Sequence, residues 1–250
     1  MRRGLGILLV IVLAGVFLFT TGRLLLILHR YRTEEQLYQN ASQQFTLEAP
    51  AKQDGEGSAS SIPLEVDFAE LTAVNDDVVG WICCEDTVIS YPVLHGADND
   101  AYLRRDFRGA YAFCGSIFTD AENAKGFADA NTLVYGHNMK DGTMFSSLEN
   151  WLDPDFFTAH PSMWLLTPEQ DYRIELFSAY STSALSDTYT VLHEGGEALA
   201  SYLAAASAQS VVQTDVETPA DAHYVVLSTC ADSLDLARIV VHGKLVPVEE

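Results

Sequence analysis

Between residues 78 and 246 the apolar side chains fall into about eight short runs: VVGWICC, TVISYPVL, GSIFT, NTLVYG, MWLLT, YRIELFSAY, HYVVLSTC and ARIVVHGKLV. Runs this short, set off by turn residues, read as strands, and so many of them predict a β barrel or sandwich. Three stretches depart from the pattern. Residues 99–107 (NDAYLRRDF) and 145–151 read as helical patches, and residues 197–208 (EALASYLAAASA) are strongly helical by composition. The last patch lies between two predicted strands and is therefore an insertion in a strand connection. Ahead of the strands, Val66, Phe68, Leu71 and Val74 lie at mostly helical spacing, and the folded domain begins near Leu64.

The other end of the chain obeys different rules. Residues 4–22 (GLGILLVIVLAGVFLFTTG) carry no charge, and after Arg23 the apolar run continues from Leu24 to Leu28. A helix over residues 5–28 would be roughly 36 Å long at ~1.5 Å per residue, enough to cross a ~30 Å hydrocarbon core with some tilt. Arg23 can snorkel to the far interface. A cleaved signal peptide would have a shorter apolar core followed by a small-x-small site, and Thr20-Thr21-Gly22-Arg23 is poor for cleavage, so the segment reads as an uncleaved anchor. Arg2 and Arg3 precede it while Arg23, Arg30 and Arg32 follow it, so the positive-inside count does not fix its orientation.

Charge separates the two regions as well. The first 32 residues hold five arginines and no acid; the rest hold nine basic and 35 acidic side chains. A chain of net charge −21 lacks the basic face that a nucleic-acid binder needs. Residues 31–45 are polar and can prolong the helix as a stalk. Residues 48–63 (EAPAKQDGEGSASSIP) have the composition of a flexible linker. The division expected is a tip and transmembrane anchor over 1–29, a stalk and linker over 30–63, and a catalytic domain over 64–250.

Three residues stand out chemically. Cys230 ends the run HYVVLSTC, where an open strand end can present a thiol. A polar turn follows, and Arg238 then enters the next run; two strands so shortly connected are antiparallel neighbours. A guanidinium beside Cys230 can hydrogen-bond a carbonyl oxygen that becomes an anion during acyl transfer. His137 ends the run NTLVYGH between Gly136 and Asn138, placed to act as acid or base. It lies 93 positions from Cys230, and sequence alone does not show that the two meet. Cys83 and Cys84 are adjacent in a strand-like run, so at most one is expected in the core. Cys114 reads as packing, and His242 as a face or core residue. Asp98 and Asp100 flank Asn99 near the expected helix start and read as capping groups. Ligand spacing for zinc or an EF-type calcium site is missing.

The residues 132–145 (TLVYGHNMKDGTMF) resemble the histidine motif of class B sortases. LSTC at 227–230, followed by ARIVVHGKL from Ala237, is similar to the family's cysteine and arginine motifs, and VVGWI and YPVL resemble its opening strands. The likeness runs from about Leu64 to Val246. It implies a mainly β domain: a closed eight-stranded sortase-type barrel with N-terminal helices and a helix, here 197–208, inserted between the sixth and seventh strands. It also implies a single-pass membrane transpeptidase on the outer face of a Gram-positive cell, N-terminus inside. By the same resemblance Cys230 is the nucleophile, His137 the acid/base and Arg238 the oxyanion residue, with Asn99, Leu103, Tyr135 and Ser228 at the sorting-signal groove. The connection from Cys230 to Arg238 has seven residues, shorter than in some relatives, and contains Asp232 and Asp235.

The chemistry implied is attack by the Cys230 thiolate on the threonine carbonyl of an NPxTN-like C-terminal sorting signal on a surface protein. A thioester forms, and an amine of a peptidoglycan precursor or pilin displaces it. Such chemistry needs no metal or organic cofactor. Two other readings stand beside it: a hydrolytic cysteine peptidase using the same pair, and a non-catalytic, membrane-tethered β module. An amine acceptor separates the first, and the distance of His137 from Cys230 separates the second.

Overall fold

The computed structural model describes residues 2–49, 62–230 and 237–249. The chain forms two compact units, Met1–Asn40 and Ala41–Glu250. The first is helical. Helix α1 (Arg2–Phe45) runs 44 residues without a break, roughly 66 Å at ~1.5 Å per residue. Val10–Phe45 includes a stretch long and apolar enough to cross a membrane, and Leu13, Phe17, Phe19 and Leu26 on it are all exposed. The Thr20 hydroxyl donates back to the Val16 carbonyl at 2.9 Å, so it is satisfied inside the helix.

The second unit begins with the end of α1, whose Phe45 ring packs edge-on against Phe107 at 6.0 Å. Strand β1 (Thr46–Glu48) pairs antiparallel with β2 (Leu64–Val66). Most of the expected linker, residues 50–61, lies outside the described residues. Helix α2 (Phe68–Val74) is capped by Asp67, whose carboxylate accepts from the Glu70 N–H at 2.9 Å.

Eight strands then close a barrel: β3 (Val78–Cys83), β4 (Ser90–His95), β5 (Ile117–Thr119), β6 (Asn131–His137), β7 (Ser162–Leu166), β8 (Tyr172–Ser183), β9 (His223–Cys230) and β10 (Ala237–Pro247). Their order around the barrel is β10-β8-β7-β3-β4-β5-β6-β9. Two neighbouring pairs, β4/β5 and β6/β9, are parallel and the others antiparallel. A parallel pair needs a long crossover. The one joining β6 to β9 contains a 3₁₀ helix (Ser146–Leu152), helix α3 (Pro154–Ala159), β7, β8 and helix α4 (Glu197–Gln209). Helix α4 thus falls between the sixth and seventh barrel strands. Its Leu199, Leu203 and Ala206, spaced to share one face, pack on Phe177, Tyr180, Tyr224, Val226 and Val240. Full burial of each leucine contributes roughly 1.5–3 kcal/mol.

Two local expectations are corrected. Residues 99–104 form successive turns, not a helix. The Asp98 carboxylate accepts from the Asp100 N–H at 3.0 Å, and the Asn99 side chain bonds Asp120 and Ala121. Side chains that bond backbone locally compete with the helix ladder, so Asp98 makes a turn where a helix cap was expected. Cys83 and Cys84 are both buried, each 4% exposed. Every residue of β3 is buried, so both faces of the strand are covered and one-face alternation does not apply; the buried run continues to Cys84. The Cys84 thiol turns back onto the Ser162 carbonyl at 3.7 Å.

Candidate active site

The parallel β6/β9 pair sets the site. Parallel strands end at the same rim, and here their register pairs Tyr135 with Ser228, Gly136 with Thr229 and His137 with Cys230. Strand β10 starts from that rim and runs back antiparallel, Val240 opposite Ser228. Continuing this register by two residues sets Arg238 level with Cys230. The Ile239 N–H donates to the Thr229 hydroxyl at 3.0 Å and holds β10 in place there. His137, Cys230 and Arg238 therefore stand in one row across three adjacent strands, with neighbouring strands about 4.8 Å apart. Asp232 and Asp235, in the connection before Arg238, lie outside the described residues.

His137 is buried, 3% exposed. Its Nε2 lies 2.6 Å from the carbonyl oxygen of Leu103. A carbonyl accepts and never donates, so Nε2 carries the proton and donates it. The nitrogen left to exchange a proton in a reaction is Nδ1. Two glycines make this seat. Gly115 has φ +61°, and a Cβ there would stand 2.7 Å from the carbonyl oxygens of Leu103 and Tyr102 and 3.0 Å from His137 Cδ2. At Gly136 a Cβ would come 2.5 Å from Ile117 Cδ1 and 2.6 Å from Phe145 Cγ. The missing side chain lets the Phe145 ring close against β6, and the Phe145 N–H donates to the His137 carbonyl at 3.1 Å.

Arg238 is half-buried and enters β10 opposite Thr182 of β8. Its Nη1 is buried and, among the described residues, has no hydrogen-bond acceptor. A buried guanidinium nitrogen in that condition is costly unless something else supplies the acceptor.

Three of the four residues expected at a groove, Asn99, Tyr135 and Ser228, are linked by two side chains that the sequence does not single out. Asn99 donates from Nδ2 to Asp120 Oδ2 at 3.0 Å, and the Tyr135 hydroxyl donates to the same oxygen at 2.8 Å. The Tyr135 ring stacks on Tyr189 with centroids 6.2 Å apart. The Tyr189 hydroxyl in turn lies 2.8 Å from Ser228 Oγ, which is fully buried. Leu103 is half-buried, and its carbonyl serves His137. Nothing in the sequence marks Asp120 or Tyr189: one follows a strand and the other lies in a single 3₁₀ turn (Asp187–Tyr189).

The remaining candidate groups stand apart in character. Burial pushes the Cys83 thiol up to about 12 and the Cys84 thiol up to about 11, which keeps both protonated and unreactive at neutral pH. Cys114 is buried, its thiol 3.5 Å from the Gly115 carbonyl. His242 is enclosed by Phe177, Tyr180 and Tyr202, with Nε2 3.1 Å from the Tyr180 hydroxyl. Burial lowers it to about 3, so it stays neutral. Among the described residues no group of three or more His, Cys, Asp or Glu side chains is placed to hold a metal ion.

Comparison with known proteins agrees over most of the chain. The Sortase domain family model matches residues 82–246. Sortase B of Listeria monocytogenes is 36% identical over 249 residues, covering 97% of each chain. Sortase B of Bacillus anthracis in complex with AAEK2 superposes with a TM-score of 0.74 at 33% identity, covering 88% of this chain and 98% of its own. The Staphylococcus aureus sortase B–substrate complex superposes with a TM-score of 0.69 at 34% identity, covering 73% and 85%. With the eight-stranded barrel and its inserted helix, these likenesses show that the chain belongs to the sortase family, among the class B sortases, and is a cysteine transpeptidase.

Proposed function

We propose that Cys230, His137 and Arg238 carry out the transpeptidation on an NPxTN-like C-terminal sorting signal. The observation that carries the assignment is Arg238 Nη1, buried with no acceptor among the described residues, at the rim where His137 and Cys230 are register partners. The Cys230 thiolate attacks the threonine carbonyl carbon. The oxygen becomes an anion, and Arg238 donates to it. When the intermediate collapses, the carbon–nitrogen bond breaks and the leaving amine takes a proton from the imidazolium of His137. The product is a thioester. An acceptor amine of a wall precursor or pilin then attacks the same carbon and gives its proton to His137. The carbon–sulfur bond breaks, and the Cys230 thiolate is restored. The net change exchanges one amide for another. Asn99, Leu103 and Tyr135 line the groove for the signal, and Ser228, fully buried, stands behind it and holds Tyr189.

The apolar part of α1 is the anchor, with the N-terminus inside and the barrel outside the cell. Residues 1–29 form the tip and span, 30–63 the stalk and linker, and 64–250 the catalytic domain. Tethering raises the effective concentration of membrane-bound substrates at the site.

The test measures acyl-enzyme formation and ligation with an NPxTN peptide and a glycine-peptide acceptor. Cys230→Ala is expected to abolish both, and Arg238→Lys to lose about 100-fold in kcat, the scale of one lost oxyanion donor. Undiminished thioester formation in Cys230→Ala, or a near-normal kcat in Arg238→Lys, sinks the corresponding role. Hydrolysed peptide without ligated product would refute this choice of acceptor.

A further inference from the structure

Asp120 follows β5 and is buried, 6% exposed. Its carboxylate is held by three donors: the Glu122 N–H at 2.9 Å on Oδ1, and Asn99 Nδ2 and the Tyr135 hydroxyl on Oδ2. Asn99 is itself exposed. Its amide is clamped from both ends, because the Ala121 N–H donates to Asn99 Oδ1 at 2.7 Å.

The turns that follow Asn99 hold themselves weakly. Their own i→i+3 bonds, Ala101 to Asp98 and Leu103 to Asp100, are 3.4 and 3.3 Å long, beyond the usual 2.7–3.2 Å range for N–H···O bonds. Pins at either end hold the segment instead. Asn99 is fixed on Asp120. Tyr102 donates to Asp77 Oδ2 at 2.6 Å and accepts from Asn75 Nδ2 at 2.8 Å, and its carbonyl accepts from the Ser116 N–H at 3.1 Å. Between these pins and His137 stands Leu103, whose carbonyl takes the His137 Nε2 proton at 2.6 Å.

We propose that Asp120 is a positioning residue of this enzyme: by clamping Asn99 it fixes the turns that deliver the Leu103 carbonyl to His137 Nε2, so that Nδ1 is the nitrogen exchanging protons with substrate. The inference rests on His137 being the acid/base of the proposed mechanism. Asp120 acts through Asn99 and the Leu103 backbone and takes no part in the bond changes.

The experiment uses the full-length chain in detergent micelles. Steady-state ligation gives kcat and KM, and ¹⁵N NMR of histidine-labelled protein in a Cys230→Ala background reports the His137 tautomer, assigned by loss of its signal in His137→Gln. The unaltered seat should show the proton on Nε2. Asp120→Ala should lower kcat at least about 10-fold, where ~100-fold is the scale of a 1 Å misplacement, and should mix the two tautomers. Asp120→Asn keeps one oxygen able to accept from both Asn99 and Tyr135 and loses only the bond from the Glu122 N–H, so it should return kcat to within about threefold. A proton on Nδ1 in the unaltered seat overturns the inference. So does Asp120→Ala with normal kcat, or with lowered kcat and an unmoved tautomer. If Asp120→Ala does not fold, Asn99→Ala cuts the same link from the exposed side and is judged by the tautomer. Cys230→Ala run in the ligation assay separates the two levels. Turnover there removes the mechanism itself, whereas a dead Cys230→Ala beside a normal Asp120→Ala removes this inference alone.

Discussion

Replacing Gly115 by alanine perturbs the histidine seat without altering any polar side chain. The backbone at φ +61° is left-handed, which costs a residue with a Cβ roughly 1–2 kcal/mol. In a barrel unit of this size that corresponds to a fall in Tm of about 5 °C. The contact matters more for activity. The new Cβ would lie 2.7 Å from the carbonyl oxygens of Leu103 and Tyr102, whereas carbon and carbonyl oxygen approach to about 3.3 Å even in close contacts. The Leu103 carbonyl must retreat by about half an ångström, away from its place 2.6 Å from His137 Nε2. A kcat loss of about 10-fold or more follows, since displacements on this scale are costly at a reacting group. Thermal melts and steady-state ligation measure the two effects. Gly115→Asn separates them: asparagine tolerates the left-handed backbone yet carries the same Cβ, so it should recover much of the Tm and little of the kcat. If Gly115→Asn restores both, backbone strain explains everything and the seat argument is wrong.

Two further outcomes are expected. A thiol-directed methanethiosulfonate at pH 8 should label Cys230 far faster than Cys83 or Cys84, whose thiols burial holds up at about 12 and about 11; peptide mapping by mass spectrometry reads this, and fast labelling at residue 83 or 84 contradicts it. His242, pushed by burial from 6.5 down to about 3, is neutral when folded and gains a proton on unfolding. Its contribution is therefore full above pH 6.5 and is lost as pH falls toward 3, by about 1.4 kcal/mol per pH unit. His242→Phe should flatten the acid-side decline in urea-unfolding stability between pH 6.5 and 4.5, and an unchanged slope would refute the buried-neutral assignment.

What sequence could and could not reveal follows from the kind of interaction involved. The strands were legible because short apolar runs between turn residues leave few other structures, and α4 because alanine and leucine favour helix so strongly. The sequence places Cys230 and His137 at strand ends, and the structure has them there. The turns at 99–104 were misread because their composition suits a helix, while their path is set by side-chain bonds to Asp77, Asp120 and Ala121 elsewhere in the chain. Burial of both Cys83 and Cys84 is hidden in the sequence because β3 is covered on both faces, which strand alternation alone does not reveal. The Leu103–His137 bond was beyond reach, since a backbone carbonyl leaves no mark in residue identity.

The parallel pairing of β6 with β9 also governs when the enzyme comes into being. Synthesis proceeds from the N-terminus, so His137 is made well before Cys230, and everything from Asn138 to Ala222 must appear before the second strand can dock. Until β9 and β10 arrive, β6 and β8 have unsatisfied edges and the cylinder stays open. A chain cut short before β9 therefore lacks Cys230 and Arg238 together, and under the proposed mechanism it cannot be acylated by a client.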